Sequence, residues 1–189
     1  MDYKTYHYGD NDLNDCGWGC SYRNIQTVIS CIKKNYNPNI IIPSLPDILS
    51  YFNKNINCNN LTDLWIEPYH IGLYLYYFNK KIKGENYLYV IKDNDISKIL
   101  KTEINIYLEN NLIINDFDNL YLLIKRHFEK SKLPIIIDNG TYSYCIVLQN
   151  ENVLLIDPHI VSNNNVKKIT MDYIKNSFWM LYIPSYKLS

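Results

Sequence analysis

The periodicity of the apolar residues changes about two-thirds of the way along this 189-residue chain. Before that point it is mostly helical, as in Ile25–Ile32, where apolar side chains fall at i, i+3, i+4 and i+7. After it come short apolar runs typical of strands, such as Pro134–Ile137 and Val153–Ile156. No internal repeat or linker divides the chain. We therefore predict one α+β domain over residues 1–189, with helices packed on a mainly antiparallel central sheet.

Caps, prolines and turn residues give the predicted boundaries of the elements. Helices are predicted from Cys20 to before Pro38, from Ser44 to about Asn53, from Pro68 through Phe78, over Asp95–Leu100, and from Asp116 or Asp118 to about Lys130. Strands are predicted at Tyr87–Ile91, Pro134–Ile137, Tyr142–Leu148, Val153–Ile156 and Phe178–Ile183, with a hairpin turn at Gln149–Asn152. Asn53–Asn60 is predicted to be loop, and Ile104–Leu108 fits either element. The helix from Pro68 is apolar on all sides, which predicts a buried helix.

Composition and charge exclude several classes of function. Acidic and basic residues balance at a net charge of zero, so there is no general basic field for nucleic acid or an anionic membrane. No apolar run approaches the roughly 18 residues of a membrane span, and the start Met1–Lys4 has no secretory signal pattern. Five cysteines, an odd number, predict reduced thiols. We expect a monomer in the cytoplasm, with the nucleus as a second possibility.

Two cysteines flank the segment Gly17-Trp18-Gly19, and a predicted helix follows. Cys16 and Cys20 have no second pair of ligands at zinc spacing, so we predict no metal site, and no Cys-x-x-Cys redox motif is present. A structural turn and a nucleophile remain as interpretations. As a nucleophile, Cys20 would gain from the unpaired N–H groups and the dipole of the helix N-terminus. The glycines would allow a sharp turn and access to the sulfur, and Trp18 would anchor the turn.

A thiolate nucleophile needs a base, and the chain has four histidines: His7, His70, His127 and His159. His159 follows a predicted strand and lies two residues after Asp157, so both side chains would point to one side of an extended segment. A carboxylate beside an imidazole fixes its tautomer and stabilises its protonated form. Asp-Pro-His after a strand is also common as a plain turn. By chemistry alone, Cys20, His159 and Asp157 form the best nucleophile, base and orienting group, and Cys31, Cys58 and Cys145 are expected to be inert.

These two segments resemble a known family. Gly17–Thr27, with Asp157-Pro158-His159 far downstream, is similar to the motifs of the ubiquitin-fold-modifier-specific cysteine proteases. Tyr6-His7-Tyr8-Gly9 matches as well, and Trp65-Ile66 matches more weakly. The chain resembles the short form of the family, which lacks an extra N-terminal domain.

The resemblance implies a papain-like fold with the order Cys, Asp, His and no cofactor. It implies Cys20 as nucleophile, His159 as general base, Asp157 as its orienting group and the Tyr8 hydroxyl at the oxyanion site. Trp18 and Trp65 are candidate walls of the substrate cleft. The sequence departs from the family pattern at three places, which concern substrate contacts more than catalysis: Cys16, Ile160 and the glycine-poor stretch 138–141.

The function implied is a thiol protease and isopeptidase. It would cleave after the C-terminal glycine of a ubiquitin-fold modifier, both to mature the precursor and to release the modifier from lysines. Proteases of autophagy modifiers share Gly-Trp-Gly-Cys and Asp-Pro-His but continue differently after the cysteine, and a protease of ubiquitin is a related alternative. A third hypothesis is an inactive homologue that only binds a modifier.

Overall fold

The structure is a computed structural model that describes residues 1–55, 65–90, 112–150, 152–162 and 164–188. Its helices are α1 Cys20–Asn35, α2 Leu45–Asn55, α3 Pro68–Phe78, α4 Phe117–Lys130 and α5 Met171–Lys175. Its strands are β1 Ile82–Tyr89, β2 Ile113–Ile114, β3 Ile135–Asp138, β4 Ser143–Gln149, β5 Asn152–Ile156, β6 Val166–Ile169 and β7 Trp179–Tyr186. Within these ranges, no helix is both long enough and apolar enough to span a membrane.

The strands form one seven-stranded sheet in the order β2-β1-β7-β3-β4-β5-β6. Every neighbouring pair is antiparallel except β1 and β2, which run parallel. The β4–β5 hairpin pairs Gln149 with Asn152, and Asn150 in its turn has a positive φ of 48°. This confirms the predicted α+β class, the mainly antiparallel sheet and the hairpin.

Helices cover both faces of the sheet. Helices α1, α2 and α3 pack on one face, against side chains that include Ile136 of β3 and Cys145 of β4. Helices α4 and α5 pack on the other face, against the adjacent positions Ile135 and Tyr144. Because side chains alternate along a strand, continuous apolar strands such as β3 supply both cores.

Helix α1 lies at the centre of the larger core. Every residue from Cys20 to Ile32 is buried, including polar side chains that a one-sided amphipathic helix would expose. These polar groups have partners: the Asn24 amide donates to the Ser143 hydroxyl at 3.0 Å, and the Gln26 amide donates to the Pro43 carbonyl at 2.9 Å. The buried hydrogen bonds fix the rotation of α1 against the sheet and thereby the direction of its first side chain, Cys20.

Several predictions about the elements were wrong in detail. Residues 53–55 continue α2 rather than beginning a loop, and residues 56–60 lie outside the described part. The predictions for Asp95–Leu100 and Ile104–Leu108 also fall outside it. Strand β1 begins at Ile82, five residues before the predicted start. The sequence missed β2, β6 and α5, which are two to five residues long and too short for a periodic signal.

Helix α3 is only partly buried, contrary to the prediction. Leu73 and Tyr77 on its outer side are 46% and 62% exposed. Its inner side approaches β7 so closely that a Cβ on Gly72 would come within 2.6 Å of the Tyr182 ring. Close packing on one side leaves the apolar residues of the opposite side in solvent, where Lys80 and Lys83 place their ammonium groups over the Tyr76 ring.

Candidate functional site

Cys20 is the first residue of α1, as the periodicity predicts, and its side chain is almost fully buried. A tight turn leads into the helix, in which the Asp15 carbonyl accepts hydrogen bonds from the N–H groups of Trp18 and Gly19. Gly17 has a positive φ of 87°, which favours glycine. A Cβ on Gly19 would lie 2.1 Å from the Asp15 carboxylate. The backbone conformation at Gly17 and the packing at Gly19 agree with the predicted sharp turn, and the predicted access to the sulfur stays a prediction.

The Asp157-Pro158-His159 segment places its carboxylate directly on its imidazole. His159 Nδ1 donates to Asp157 Oδ1 at 2.7 Å. The segment is a turn closed by the Ile160 N–H on the Asp157 carbonyl, at 3.2 Å, and is not the extended backbone assumed from the sequence. Lys167 of β6 donates to the other carboxylate oxygen at 2.9 Å. The predicted pair is thus formed, by a different backbone geometry and with a cation that the sequence did not indicate.

These contacts shift the pKa values of the pair in opposite directions. Burial alone would raise the pKa of Asp157, but hydrogen bonds from His159 and Lys167 outweigh it and lower the pKa to about 2. Burial alone would lower the pKa of His159, but its hydrogen bonds to Asp157 and Cys20 outweigh burial and raise the pKa to about 9. His159 is therefore an imidazolium at neutral pH, and its Nδ1 is committed to Asp157, which leaves Nε2 for the cysteine.

Tyr8 joins the two halves of the site. Its backbone N–H donates to the Pro158 carbonyl at 2.8 Å, and its ring packs edge-on against His159 with centroids 5.1 Å apart. Its hydroxyl hydrogen-bonds with Cys20, and burial together with that neighbouring sulfur raises the pKa of Tyr8. The phenol therefore stays protonated and can donate a hydrogen bond beside the sulfur. The structure brings together Cys20, His159, Asp157 and Tyr8.

The other three histidines have structural partners. His7 Nδ1 donates to the Tyr8 carbonyl at 2.8 Å, and His127 Nε2 donates to the Leu133 carbonyl at 2.8 Å. His70 accepts the Glu67 N–H at the start of α3, at 3.2 Å. Among the described histidines, His159 is the one that meets both a carboxylate and a cysteine.

Besides Cys20, the described residues include Cys16, Cys31 and Cys145. Burial raises the pKa of Cys31 to about 12 and that of Cys145 well above its usual value, so both thiols stay protonated. Cys16 is exposed and forms no disulfide. Cys58 lies outside the described residues. In the part of the chain with assigned structure, no group of three metal-ligating side chains occurs.

The two predicted cleft tryptophans lie in different environments. Trp18 packs edge-on against Tyr22 at 5.7 Å between ring centroids, at the margin of the larger core, which supports its role as an anchor of the turn. Trp65 is 39% exposed and precedes α3. Among the described residues, the rings that contact His159 besides Tyr8 are those of Tyr142 and Tyr144, at 5.1 and 5.4 Å between centroids. The sequence did not single out either of these tyrosines.

Three further buried ionisable side chains near the site were missed. Asp15 and Arg23 form an ion pair with both side chains 0% exposed. Asp138, at the end of β3, is also fully buried; burial raises its pKa to about 7, while the Gly140 N–H bond and the nearby His159 charge act in the opposite direction. The sequence did contain one signal for the ion pair. Arg23 is one of only two arginines in the chain, and it falls within the first turn of the predicted helix from Cys20.

Comparison with known proteins shows which family and which solved structure this chain is similar to. The sequence model of peptidase family C78 matches residues 1–179. The structure is similar to the crystal structure of UfSP from Caenorhabditis elegans, with a TM-score of 0.68 over 98% of this chain and 33% of that one, at 20% identity. This similarity confirms the predicted papain-like fold.

Two sequence relatives show how the similarity is distributed. A probable Ufm1-specific protease 2 of Drosophila melanogaster is 25% identical over 96% of this chain and 30% of its own length. Ufm1-specific protease 1 of Mus musculus is 57% identical over 28 residues, which are 15% of this chain and 13% of that protein. The chain spans less than a third of the length of the relatives that it matches almost throughout, and the short-form assignment stays a prediction. With a family model matched over nearly its whole length, the chain belongs to peptidase family C78.

Proposed function

We propose that this chain is a thiol protease and isopeptidase that cleaves after the C-terminal glycine of a ubiquitin-fold modifier. The observation that carries the proposal is the contact of Cys20 with both His159 and the Tyr8 hydroxyl, with His159 held by Asp157. Relatives of this chain are named as probable Ufm1-specific proteases, and these names support a ubiquitin-fold modifier as the substrate. Both precursor maturation and release from lysine require the same bond cleavage at that glycine.

In the first step, the Cys20 thiolate attacks the carbonyl carbon of the terminal glycine. The carbonyl oxygen becomes an oxyanion, which accepts hydrogen bonds from the Tyr8 hydroxyl and from the Cys20 N–H at the start of α1. His159, protonated at neutral pH, transfers its proton to the leaving amine, and a thioester on Cys20 remains.

In the second step, His159, now neutral, removes a proton from water, and the resulting hydroxide attacks the thioester. Collapse of the second oxyanion releases the modifier and restores the Cys20 thiolate. Throughout both steps Asp157 holds Nδ1 of the imidazole, so that Nε2 faces the reacting atoms. No cofactor enters this mechanism.

The exposure of the site supports a substrate with a thin terminal segment. Cys20 is 1% exposed and the His159 side chain 23% exposed, so little room is open to solvent around the sulfur. A tail that ends in glycine presents no Cβ near the scissile bond. Tyr142 beside His159 is 48% exposed, and it joins Trp18 and Trp65 as a candidate wall of the cleft.

A set of covalent probes tests the proposal. The ubiquitin-fold modifier, ubiquitin and an autophagy modifier are each prepared with a C-terminal electrophile and incubated with the protein. We expect labelling by the first probe, and none in Cys20→Ala, while Cys16→Ala labels as wild type does. Labelling that persists in Cys20→Ala would overturn the mechanism, and labelling only by one of the other two modifiers would overturn the substrate. Binding of the first modifier without labelling would support an inactive homologue. We also propose that the protein is a monomer and lies in the cytoplasm. Light scattering tests the monomeric state.

A further inference from the structure

A fully buried ion pair lies directly behind the nucleophile. Arg23 Nε donates to Asp15 Oδ2 at 2.7 Å, and Arg23 Nη2 donates to Asp15 Oδ1 at 3.0 Å. Both side chains are 0% exposed, so neither reaches a substrate. Taking two charges out of water is costly, and an apolar pair of similar volume is often at least as stable. What the two-pronged ion pair supplies beyond packing is a fixed direction for every group bonded to it.

Asp15 connects the segment of Tyr8 to the start of α1. Its Oδ1 accepts the Gly9 N–H at 2.8 Å, and Gly9 is the residue after Tyr8. Its backbone carbonyl accepts the Gly19 N–H at 2.9 Å, immediately before Cys20. The same residue therefore fixes the backbone next to the phenol and the backbone next to the sulfur.

Arg23 holds the same loop from the helix. Its Nη2 also donates to the Asp10 carbonyl at 2.9 Å, and its Nη1 donates to Gln26 Oε1 at 3.0 Å. Gly9 between Tyr8 and Asp10 has a positive φ of 78°, so its N–H takes a direction that a residue with a Cβ would rarely adopt. The loop is thus bonded at Gly9 to Asp15 and at Asp10 to Arg23 in the first turn of the nucleophile helix.

We propose that Asp15 and Arg23 are positioning residues that hold the Tyr8 hydroxyl at Cys20 before substrate arrives. This inference rests on the proposed function, because it concerns the oxyanion donor of the same site. Preorganised donors stabilise the developing charge without reorganisation, and a displacement of about 1 Å can cost about 100-fold in rate. Loosening the ion pair should therefore remove the contribution of Tyr8 while leaving Cys20 and His159 able to react.

A double-mutant cycle between Asp15 and Tyr8 tests the proposal. Asp15→Asn, Tyr8→Phe and the double variant are assayed with the modifier carrying a C-terminal fluorogenic amide. In the wild-type background, Asp15→Asn should lower kcat about 10- to 100-fold with KM changed by less than about 3-fold. In the Tyr8→Phe background the same substitution should lower kcat by less than about 3-fold. Equal losses in both backgrounds would overturn the proposal, because Asp15 would then act independently of Tyr8.

The controls separate positioning from general damage. Asp12→Asn removes the same charge from an exposed carboxylate in the same loop and should leave kcat unchanged. Alkylation of Cys20 by iodoacetamide forms no oxyanion, so its rate in Asp15→Asn should stay within about 3-fold of wild type. An alkylation rate that falls together with kcat would overturn the proposal. Where Asp15→Asn does not fold, as judged by its melting transition, Arg23→Lys retains the charge and loses the two-pronged contact, and the cycle is run with it.

The proposed function and this inference can fail separately. If the wild-type protein does not cleave the modifier amide, the proposed function fails. The cycle is then run on p-nitrophenyl acetate, which acylates Cys20 through an oxyanion without any modifier, with Cys20→Ala as the blank. Coupling between Asp15 and Tyr8 in that reaction upholds the inference, and its absence overturns it.

Discussion

The two halves of the candidate site are held by ion pairs of opposite character. On the nucleophile side, Asp15 and Arg23 are fully buried and meet by two hydrogen bonds. On the base side, Asp157 pairs with Lys167, whose side chain is 47% exposed. The first pair holds backbone in place, whereas the second adjusts the charge of a titrating imidazole. The candidate site needs fixed hydrogen-bond donors for the oxyanion and a histidine that transfers a proton, and the two kinds of ion pair serve these two needs.

The environments of the pairs explain this division. A buried pair is barely screened by salt and loses heavily when one partner is removed, because the other charge remains unpaired in the interior. An exposed pair is screened and contributes little to folding, but it still biases the pKa of a neighbouring group. The comparison therefore predicts a large, salt-independent effect when the buried pair is broken on the nucleophile side, and a small, salt-dependent effect when Lys167 is removed on the base side.

The largest effect on stability is expected for Arg23→Met. The substitution keeps most of the volume but leaves the Asp15 carboxylate buried without a counter-charge, so the free energy of unfolding should fall by about 3–5 kcal/mol. Urea denaturation, monitored by circular dichroism, measures this free energy of unfolding. The matched control is Arg126→Met, which removes the only other arginine of the chain from an exposed position on α4 and should change stability by less than about 0.5 kcal/mol. Equal losses for the two variants would remove the distinction between the halves.

The next effect is on turnover, for Tyr8→Phe. Losing one oxyanion donor should lower kcat by about 100-fold, with KM nearly unchanged, because the hydroxyl acts on charge that develops only in the transition state. Steady-state kinetics on the modifier amide provide the measurement. Tyr6→Phe, two residues earlier and also buried, is the control and should retain kcat. Unchanged turnover in Tyr8→Phe would remove this hydroxyl from the oxyanion site.

Sequence reasoning singled out candidate residues that the structure brings together, but it missed much of the scaffold that holds them. Cys20 could be placed because a helix start is visible in the apolar periodicity, and His159 because its carboxylate partner is two residues away. Both signals are local in sequence. The resemblance to a family then supplied the Tyr8 assignment, which spacing alone did not give.

The missed groups depend on contacts between segments that are distant in sequence or on short elements. Lys167 lies on β6, a four-residue strand without a periodic signal, and its role appears only when β6 pairs with β5 beside Asp157. Arg23 looked like one polar position on an amphipathic helix, whereas α1 is buried on all sides along its first thirteen residues. The sequence pattern shows which residues are apolar, and it does not show which polar residues will be desolvated together.

A different effect, a shift of the pH profile, is expected for Asp157→Asn. His159 must be protonated to serve the leaving amine, and its pKa is raised from 6.5 to about 9, so kcat/KM of the wild type should decline as pH rises through about 9. Folding stability should change with pH in the same direction. The contribution of the charged His159 imidazole is present below about pH 6.5 and is lost as pH rises through 9. Without the carboxylate the pKa of His159 falls, and the alkaline limb should move to lower pH. Asp118→Asn, an exposed carboxylate of α4, is the control; an unmoved limb in Asp157→Asn would contradict the assignment.

The smallest effect is expected for Lys167→Met, which removes the exposed cation from Asp157. His159 still donates to the carboxylate, so the free energy of unfolding should fall by less than about 1 kcal/mol and kcat by less than about 3-fold. Because the Lys167 side chain is half-exposed while Asp157 is buried, the difference from wild type should shrink in 1 M salt, where the Debye length is about 3 Å. Lys168→Met, the next residue of β6, points to the opposite face and should behave as wild type at every salt concentration. A loss above about 2 kcal/mol that survives 1 M salt would mean that the base side depends on its ion pair in the same way as the nucleophile side.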